Sequence, residues 1–232
     1  MKLYIVVPMH NYAEGVERIA DWFSSSEILG QMEQKHLVVV DDHSRPAETA
    51  RARAAVPDVI TVSPETRGKL RLAYGLAASN ATALGCDAVL TCETDAVPVD
   101  DTLDAMLRVF QDPLNGWSRQ GEVVSVSPVY TWQGRSCYPS QPTWFTPNES
   151  TKDCFEVQQH STVGRIGLTA AVPFLFALWK PSALSRIDST MPVLYRLDTV
   201  LGETLWSEGK LHLRLLDHTI DHVGGGTRSR GA

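Results

Sequence analysis

Short apolar runs alternate with amphipathic stretches through the first half of the chain. Runs rich in Val, Ile and Leu predict buried strands, and they lie at residues 3–7, 36–40, 58–62, 87–92 and 122–127. Stretches with helix signals lie between these strands, at residues 13–29, 46–55, 69–84 and 99–110. Apolar strands that alternate with helices predict an α/β fold: a single Rossmann-like, mostly parallel sheet with helices on both faces.

The second half of the chain shows a less regular pattern. Residues 128–165 are rich in Pro, Ser, Trp and Tyr and carry few helix signals, so we expect an irregular segment there. Beyond it, residues 170–179 are strongly apolar, 198–209 predict a helix, and 211–216 predict a strand. The Gly-rich end at 223–232 predicts a flexible tail.

Polar residues directly follow three of the predicted strands. Pro8-Met9-His10-Asn11 follows the first strand, Asp41-Asp42-His43-Ser44 the second, and Glu93-Thr94-Asp95 the fourth. In a parallel sheet the carboxyl ends of the strands lie at one edge, which is where such folds bind ligands. We therefore expect the three motifs to line a common site.

The acids of these motifs have two interpretations each. Glu93 and Asp95 alternate along a strand, so both can face one hard divalent cation, with Asp95 as the direct ligand and Glu93 reaching across or binding through water. They could equally be a solvated acidic loop. Asp41 and Asp42 could cap the following helix, or accept hydrogen bonds from a base ring N–H or a ribose hydroxyl.

Charge and composition exclude several classes of partner. The net charge is −6, from 21 Lys and Arg against 27 Asp and Glu, and no basic run occurs, which argues against duplex nucleic acid. A mildly acidic protein needs a cation to bind a polyphosphate. The apolar runs are too short for a signal sequence or an integral membrane segment. The four cysteines lack C-x-x-C spacing, which predicts reduced thiols in a cytoplasmic protein.

The three strand-end motifs together resemble family 2 glycosyltransferases of the GT-A fold. In that family the strands end in Pro-x-(Tyr/His)-Asn, in Asp-Asp-x-Ser and in the D-x-D metal motif, and the resemblance covers residues 1–110 well. Glu93 stands where the family has the first Asp of D-x-D. The resemblance implies a nucleotide-sugar site formed by Pro8, His10, Asn11, Asp41, Asp42, Arg67, Glu93 and Thr94. It implies a Mn²⁺ or Mg²⁺ site formed by Asp95, Glu93 and His222.

The resemblance also implies a carboxylate that takes the proton of the acceptor hydroxyl. In the family this acid begins a helix, and the segment "LDTVLGETLWSEG" matches through Asp198, Leu201 and Gly209. Leu197 stands where the family has an additional acid, and Glu203 is a rival for the role of base. Asp198 could equally be an N-cap residue.

The histidine ligand that the resemblance implies for the metal site is chosen by its position near the C-terminus. Many GT-A enzymes complete their metal site with a late His, and His222, just before the Gly-rich tail, matches that position better than His218. The four-residue spacing of the two histidines is also that of a zinc-binding helix. The β-branched Thr219 and Ile220 between them, and the missing Glu, argue against this alternative.

The implied function is a metal-dependent transfer of a sugar from a UDP-, GDP- or dTDP-linked donor to a hydroxyl acceptor, most simply a carbohydrate. Transfer would invert the configuration at the anomeric carbon of the sugar by a single displacement, with an Asp as base. Residues 1–110 would form the nucleotide-sugar-binding half of one domain, 111–222 a less regular acceptor-binding half, and 223–232 the tail. Two alternatives are a non-catalytic GT-A-like binding protein and a sugar nucleotidyltransferase. The turn at residues 9–15 lacks the basic residues that a triphosphate would need, which counts against the latter.

Overall fold

A computed structural model describes residues 1–61, 70–112, 120–132, 135–137, 154–192 and 196–223. The strands of these residues are β1 (Lys2–Met9), β2 (Gln34–Asp41), β3 (Val59–Thr61), β4 (Ala88–Cys92), β5 (Ala96–Val97), β6 (Val123–Trp132), β7 (Arg135–Cys137), β8 (Glu156–His160), β9 (Gly164–Thr169), β10 (Phe176–Trp179) and β11 (Leu211–His222). The helices are α1 (Ala13–Ser25), α2 (Glu27–Gly30), α3 (Pro46–Ala55), α4 (Leu70–Ala83), α5 (Asp100–Gln111), α6 (Pro181–Leu184) and α7 (Leu197–Ser207).

All of these strands belong to one sheet. Its order is β3-β2-β1-β4-β10-β6-β11-β9-β8, with β5 added to β11 and β7 added to β6. The first four strands in this order are parallel to one another, β10 runs antiparallel between β4 and β6, and β11 is parallel to β6. The outer strands β9 and β8 are antiparallel. The α/β class and the parallel central sheet are therefore confirmed.

Helices cover both faces of the sheet, as the apolar strands predict. On one face, Ile5 of β1 belongs to a cluster with Val16 of α1 and Leu103 of α5. On the other face, Val6 belongs to a cluster with Tyr74 of α4, together with residues of α6 and α7. Successive residues of β1 thus enter opposite clusters, which is the period-two alternation of a strand buried on both sides.

Two predictions from the sequence concern membrane-spanning segments and the state of the cysteines. Among the described residues, no helix combines the length and the apolar character that a bilayer crossing requires. Cys86 and Cys92 are both buried free thiols.

The elements of the first half lie close to their predicted positions. The helix α3 has the predicted bounds, with Pro46 in its first turn. The helix predicted at 13–29 divides at Ser26, whose backbone is extended and whose hydroxyl accepts a hydrogen bond from the Leu29 N–H. Ser competes well for such a capping position, so a new helical turn starts there.

The second half differs from its prediction in two places. The segment 128–165, which we expected to be irregular, contains the end of β6, the whole of β8 and the first two residues of β9, which pairs antiparallel with β8. The residues of β8 alternate between half-buried and exposed, so a polar sequence such as "EVQQH" is compatible with this edge strand. The strand predicted at 211–216 continues to His222, after a register shift between Leu215 and Thr219. Residues 138–153 and the tail at 224–232 lie outside the described residues.

The helix α1 rests directly on the turn after β4. A Cβ atom added to Gly15 would lie 2.0 Å from the Thr94 carbonyl oxygen, so only glycine allows this approach. One turn later, Arg18 Nη2 donates to the same carbonyl oxygen at 2.8 Å, and to the Ala96 carbonyl oxygen at 3.4 Å. The acidic turn is therefore held from behind by the first helix.

Replacing Gly15 with Ala should destabilise the protein, because the new methyl group meets a backbone carbonyl that cannot rotate away. We expect a loss of about 2 kcal/mol or more in the free energy of unfolding, as for other overpacked positions. Gly75→Ala in α4 is the matched control, since nothing lies within 4 Å of its added Cβ; it should stabilise by about 0.5–1 kcal/mol through helix propensity. Urea unfolding of both variants measures this, and equal stability of the two would contradict the contact.

Candidate functional site

The ends of β1 and β2 are joined by a network around His10 and Asn11. His10 Nδ1 donates to the Asp42 carbonyl oxygen at 2.8 Å, which leaves Nε2 to accept from the Asn11 side-chain amide at 3.0 Å. Asn11 Oδ1 accepts from the Arg45 N–H at 2.7 Å, and the Asn11 N–H donates to Ser44 Oγ at 2.8 Å. The first two motifs therefore form one interlocked pair of loops, as their positions in a parallel sheet predict.

The two aspartates at the end of β2 have different environments. Asp41 is 0% exposed, and its two carboxylate oxygens accept from the Ser44 N–H at 3.0 Å and the Thr49 hydroxyl at 2.6 Å. This carboxylate holds the loop onto α3, close to the capping interpretation. Asp42 is partly exposed, and its backbone N–H donates to the Met9 carbonyl oxygen at 2.8 Å. Of the pair, Asp42 is the one whose side chain reaches the surface of the loop.

The acidic turn after β4 is closed by backbone hydrogen bonds. The Glu93 N–H donates to the Leu175 carbonyl oxygen at 2.8 Å, and the Ala96 N–H donates to the Glu93 carbonyl oxygen at 3.0 Å. Thr94 is buried within the turn. These bonds fix the positions from which Glu93 and Asp95 project.

Glu93 is directed towards a buried tyrosine. The Tyr74 hydroxyl lies 3.5 Å from Glu93 Oε1, and its ring stacks on Phe174 with centroids 4.1 Å apart. The pKa of Tyr74 is raised, first by burial and then by the negative charges of Glu93 and Asp198. Tyr74 therefore contacts an acid of the D-x-D-like motif and is close enough to the candidate base Asp198 for its charge to act on the hydroxyl.

Asp95 is paired with His222 across 127 residues of sequence. His222 Nε2 lies 2.8 Å from Asp95 Oδ2, with side chains 35% and 14% exposed respectively. Antiparallel pairing of β11 with β5 sets His222 opposite Ala96, and the Val223 N–H donates to the Asp95 carbonyl oxygen at 2.9 Å. The strand thus delivers the late histidine to the acidic turn.

The atoms of this pair fit a divalent metal ion. Asp95 Oδ1 is buried and accepts no hydrogen bond from any described residue, and a buried oxygen without a partner is costly unless a ligand binds it. A carboxylate oxygen and an imidazole nitrogen suit Mn²⁺. Within the described part of the chain, no group of three His, Cys, Asp or Glu side chains forms a metal centre, so Glu93 does not join the pair. Mg²⁺ and Mn²⁺ often keep waters and substrate oxygens in their remaining positions.

Asp198 and Glu203, the two candidate bases, lie on different parts of α7. Asp198 is in the first turn, is partly buried, and accepts a hydrogen bond from the Thr199 N–H at 2.8 Å. Burial raises its pKa. The N-cap is Arg196, which has a left-handed backbone with φ 66°, so Asp198 is not the capping residue. Glu203 is exposed further along the helix.

The remaining predicted residues are placed as follows. Pro8 is a half-buried residue of β1 opposite Val40, where its ring shapes the strand end without a hydrogen-bonding group. His218 Nε2 lies 3.1 Å from the Val163 carbonyl oxygen, so it does not converge with His222 as a zinc helix would require. Arg67 lies outside the described residues.

Two residues of this site were missed by sequence reasoning. Tyr74 lies within the helix predicted at 69–84, where its ring fits the buried face but its hydroxyl needs a polar partner. A tyrosine on a buried stripe does signal a polar contact, because its hydroxyl needs a partner. Arg18 lies within the helix predicted at 13–29, and nothing in the sequence signals that it donates to the carbonyl groups on either side of Asp95.

No protein-family model matches the sequence, and no curated protein matches it. Solved structures do match. The mannosyltransferase PcManGT from Pyrobaculum calidifontis, in complex with GDP-Man and Mn²⁺, is 19% identical with a TM-score of 0.63, over 99% of this chain and 58% of that one. TarS from S. aureus is 14% identical with a TM-score of 0.63, over 96% and 60%. Glucosyl-3-phosphoglycerate synthase from Mycobacterium tuberculosis, in complex with phosphoglyceric acid, is 12% identical with a TM-score of 0.53, over 97% and 72%.

These likenesses show that the chain has the fold of the GT-A glycosyltransferases. The chain spans a little over half of the length of the mannosyltransferase. A shared fold does not by itself define an activity, which has to be argued from the site.

Asp95→Asn should abolish tight binding of Mn²⁺, because the amide removes the charge and one oxygen ligand while keeping the shape of the side chain. We expect at least about a tenfold loss of affinity, equivalent to about 1.4 kcal/mol, and a similar loss for His222→Ala. His218→Ala is the control and should bind like the parent protein. Titration with Mn²⁺, followed by electron paramagnetic resonance, measures the affinity of the parent and of the three variants. A loss of Mn²⁺ affinity confined to His218→Ala would contradict the pairing.

Proposed function

We propose that this protein is a divalent-metal-dependent glycosyltransferase. It moves a sugar from a nucleoside-diphosphate donor to the hydroxyl group of an acceptor, with inversion by a single displacement. The observation that carries the proposal is the Asp95–His222 pair, with its unpartnered buried carboxylate oxygen, at the same sheet edge as the loops of His10 and Asp42. The GT-A fold supports it, because the nucleotide-sugar site of that fold is expected at this edge.

On the donor side, the interlocked loops after β1 and β2 would hold the nucleoside. Asp42, at the surface, can accept from a base N–H or from ribose hydroxyls. His10 and Asn11, which are hydrogen-bonded to each other, would form the adjoining wall, and Asp41 holds the loop through its bonds to Ser44 and Thr49. Arg67 is proposed as a diphosphate or base contact on the strength of the resemblance alone.

Asp95 and His222 would hold Mn²⁺ or Mg²⁺ beside the diphosphate. The metal would supply positive charge to the leaving diphosphate in an otherwise acidic protein. The 2.8 Å contact between Asp95 Oδ2 and His222 Nε2 supports a common ligand for the two side chains. Glu93 would act through water or through Tyr74, since its carboxylate is directed there.

On the acceptor side, Asp198 would be the base. As the acceptor oxygen forms its bond to the anomeric carbon, the bond to the diphosphate oxygen breaks, and the acceptor proton passes to the Asp198 carboxylate. Burial raises the pKa of Asp198, which makes this carboxylate a stronger base than an ordinary aspartate. We propose a carbohydrate hydroxyl as acceptor and a cytoplasmic location, which the reduced thiols Cys86 and Cys92 support.

The alternatives differ in what the site contains. A nucleotidyltransferase needs basic groups near the first turn to hold a triphosphate, but the nearest one, Arg18, is engaged with the carbonyl oxygens of the acidic turn. A non-catalytic binding protein is favoured by one observation, the direction of Glu93 towards Tyr74 rather than towards Asp95.

Release of nucleoside diphosphate tests the proposal. The protein is incubated with UDP-, GDP- and dTDP-sugars, with and without Mn²⁺, alone and with a panel of carbohydrate acceptors. We expect metal-dependent release from one donor class, and loss of release in Asp95→Asn. Tight donor binding without release would favour the non-catalytic alternative, and failure to bind any nucleotide sugar would contradict the proposal.

Asp198→Asn should lower kcat by about 100-fold or more with little change in the KM for the donor, because only proton transfer is removed. Glu208→Gln, at the far end of α7, is the matched control and should be active. In the parent protein kcat should fall as the pH falls through the pKa of Asp198, and burial sets this limb above the ordinary aspartate value of about 3.9. Loss of activity in Glu203→Gln instead of Asp198→Asn would reverse the assignment of the base.

A further inference from the structure

Arg214 is a cation buried in the sheet, and none of the described residues supplies a counter-charge for it. It lies on β11 and is 2% exposed, and its Nε and Nη1 atoms have no hydrogen-bond partner. Its Nη2 atom reaches only the Ala171 carbonyl oxygen, at 3.4 Å. No described acidic side chain forms an ion pair with it, although seven other Lys and Arg residues do form such pairs. A guanidinium group in this situation is costly to the fold.

A second unpartnered group lies beside it. Ser127 of β6 is the register partner of Arg214. Two residues earlier on each strand, the side chains of Ser125 and His212 are hydrogen-bonded to each other at 2.7 Å, so these two residues share one face of the sheet. Because every second residue of a strand points to the same face, Ser127 and Arg214 share that face too. The Ser127 hydroxyl is buried near Tyr130 but has no hydrogen bond of normal geometry. Arg214 Nε, Arg214 Nη1 and the Ser127 hydroxyl therefore lack an acceptor of normal geometry among the described residues.

The register of the sheet shows how far Ser127 and Arg214 lie from the functional edge. Leu178 of β10 pairs with Leu90 of β4 and with Val126 of β6. Ser127 and Arg214 are consequently level with Thr91, two residues below Glu93 at the functional edge. They face α7, whose Gly202 packs directly against Ala171. The cluster thus lies beneath the acceptor half, beside the helix that carries Asp198.

We infer that Arg214 and Ser127 bind an anionic oxygen group, a phosphate or a carboxylate, that belongs to the acceptor substrate. The inference rests on the proposed function. A guanidinium fork matches two oxygens of such a group, and the serine hydroxyl can donate to a third. The anion would take the place of the Ala171 carbonyl oxygen, which is a distant acceptor. The donor diphosphate is the other possible source, but its proposed ligands Asp95 and His222 lie at the rim, on β5 and the end of β11.

Replacing a ligand-binding arginine and replacing a structural arginine should have opposite effects on the Tm of the apo protein. Arg214→Met keeps the length of the side chain and removes the uncompensated charge, so the apo protein should have an equal or higher Tm. The parent protein should gain Tm in inorganic phosphate, without metal or nucleotide. Arg214→Met should lose that gain. Arg186→Met, at an exposed ion pair with Glu208, is the control and should keep it.

Ser127→Ala provides a second variant that removes one hydroxyl and no charge. It should bind phosphate about tenfold more weakly, the effect of one hydrogen bond to a charged group, with an unchanged Tm in the absence of phosphate. The inference is overturned if phosphate does not raise the Tm of the parent, or if Arg214→Met keeps the phosphate response. A lowered apo Tm in Arg214→Met together with a normal phosphate response in Ser127→Ala would assign Arg214 to the core instead.

Nucleotide binding separates this inference from the proposed function. GDP and UDP with Mn²⁺ should bind to Arg214→Met as they bind to the parent, because the two anions occupy different places. If the parent binds no nucleotide, the proposed function fails while the phosphate result can still be read. If Arg214→Met loses nucleotide and phosphate together, the anion is that of the donor and the acceptor assignment is wrong. With activity established, a sugar phosphate should be a better acceptor than the same sugar without phosphate, and only in proteins that retain Arg214.

Discussion

The pairing of β10 with β4 on one side and with β6 on the other fixes the second half of the chain against the first. Its antiparallel direction brings the residues just before it to the functional edge. Leu175 can then accept from the Glu93 N–H, and Phe174 can stack on Tyr74. The same order places β11 beside β6, parallel to it, so that its far end arrives at the acidic turn. Each contact between the two halves of the candidate site depends on this one strand.

Acidic side chains lie at the functional edge of the sheet, whereas two arginines lie further inside the protein. A mildly acidic chain carries Asp42, Asp95 and Glu93 at the same edge of the sheet, where a diphosphate would be repelled unless a cation intervened. Two arginines act from inside the protein, with different tasks. Arg18 satisfies backbone carbonyl groups and so fixes the acidic turn. Arg214 reaches one backbone carbonyl oxygen, that of Ala171, at 3.4 Å and forms no ion pair with a described acidic residue, so in our proposal an anionic acceptor supplies the counter-charge.

The fold was predictable where the relevant signals are local. Buried strands and the proline that starts α3 carry their signal within a few residues, and so do the polar motifs at the ends of β1, β2 and β4. The strand β8 was missed because it is a half-exposed edge strand with a polar sequence. In the site, the pairing of Asp95 with His222 spans 127 residues and came only from the family resemblance. Tyr74 and Arg214 could not be assigned, since a buried hydroxyl or charge depends on neighbours distant in sequence.

The central claim is that Asp95 and His222 share one metal ion next to a nucleoside diphosphate. Crystals grown with MnCl₂ and GDP or UDP, measured at the manganese absorption edge, test it most directly. A single anomalous peak should lie within bonding distance of the Asp95 carboxylate, His222 Nε2 and the diphosphate oxygens, with the nucleoside against the loops of His10 and Asp42. Manganese bound at Glu93 without Asp95, or nucleotide bound away from the ends of β1 and β2, would contradict it.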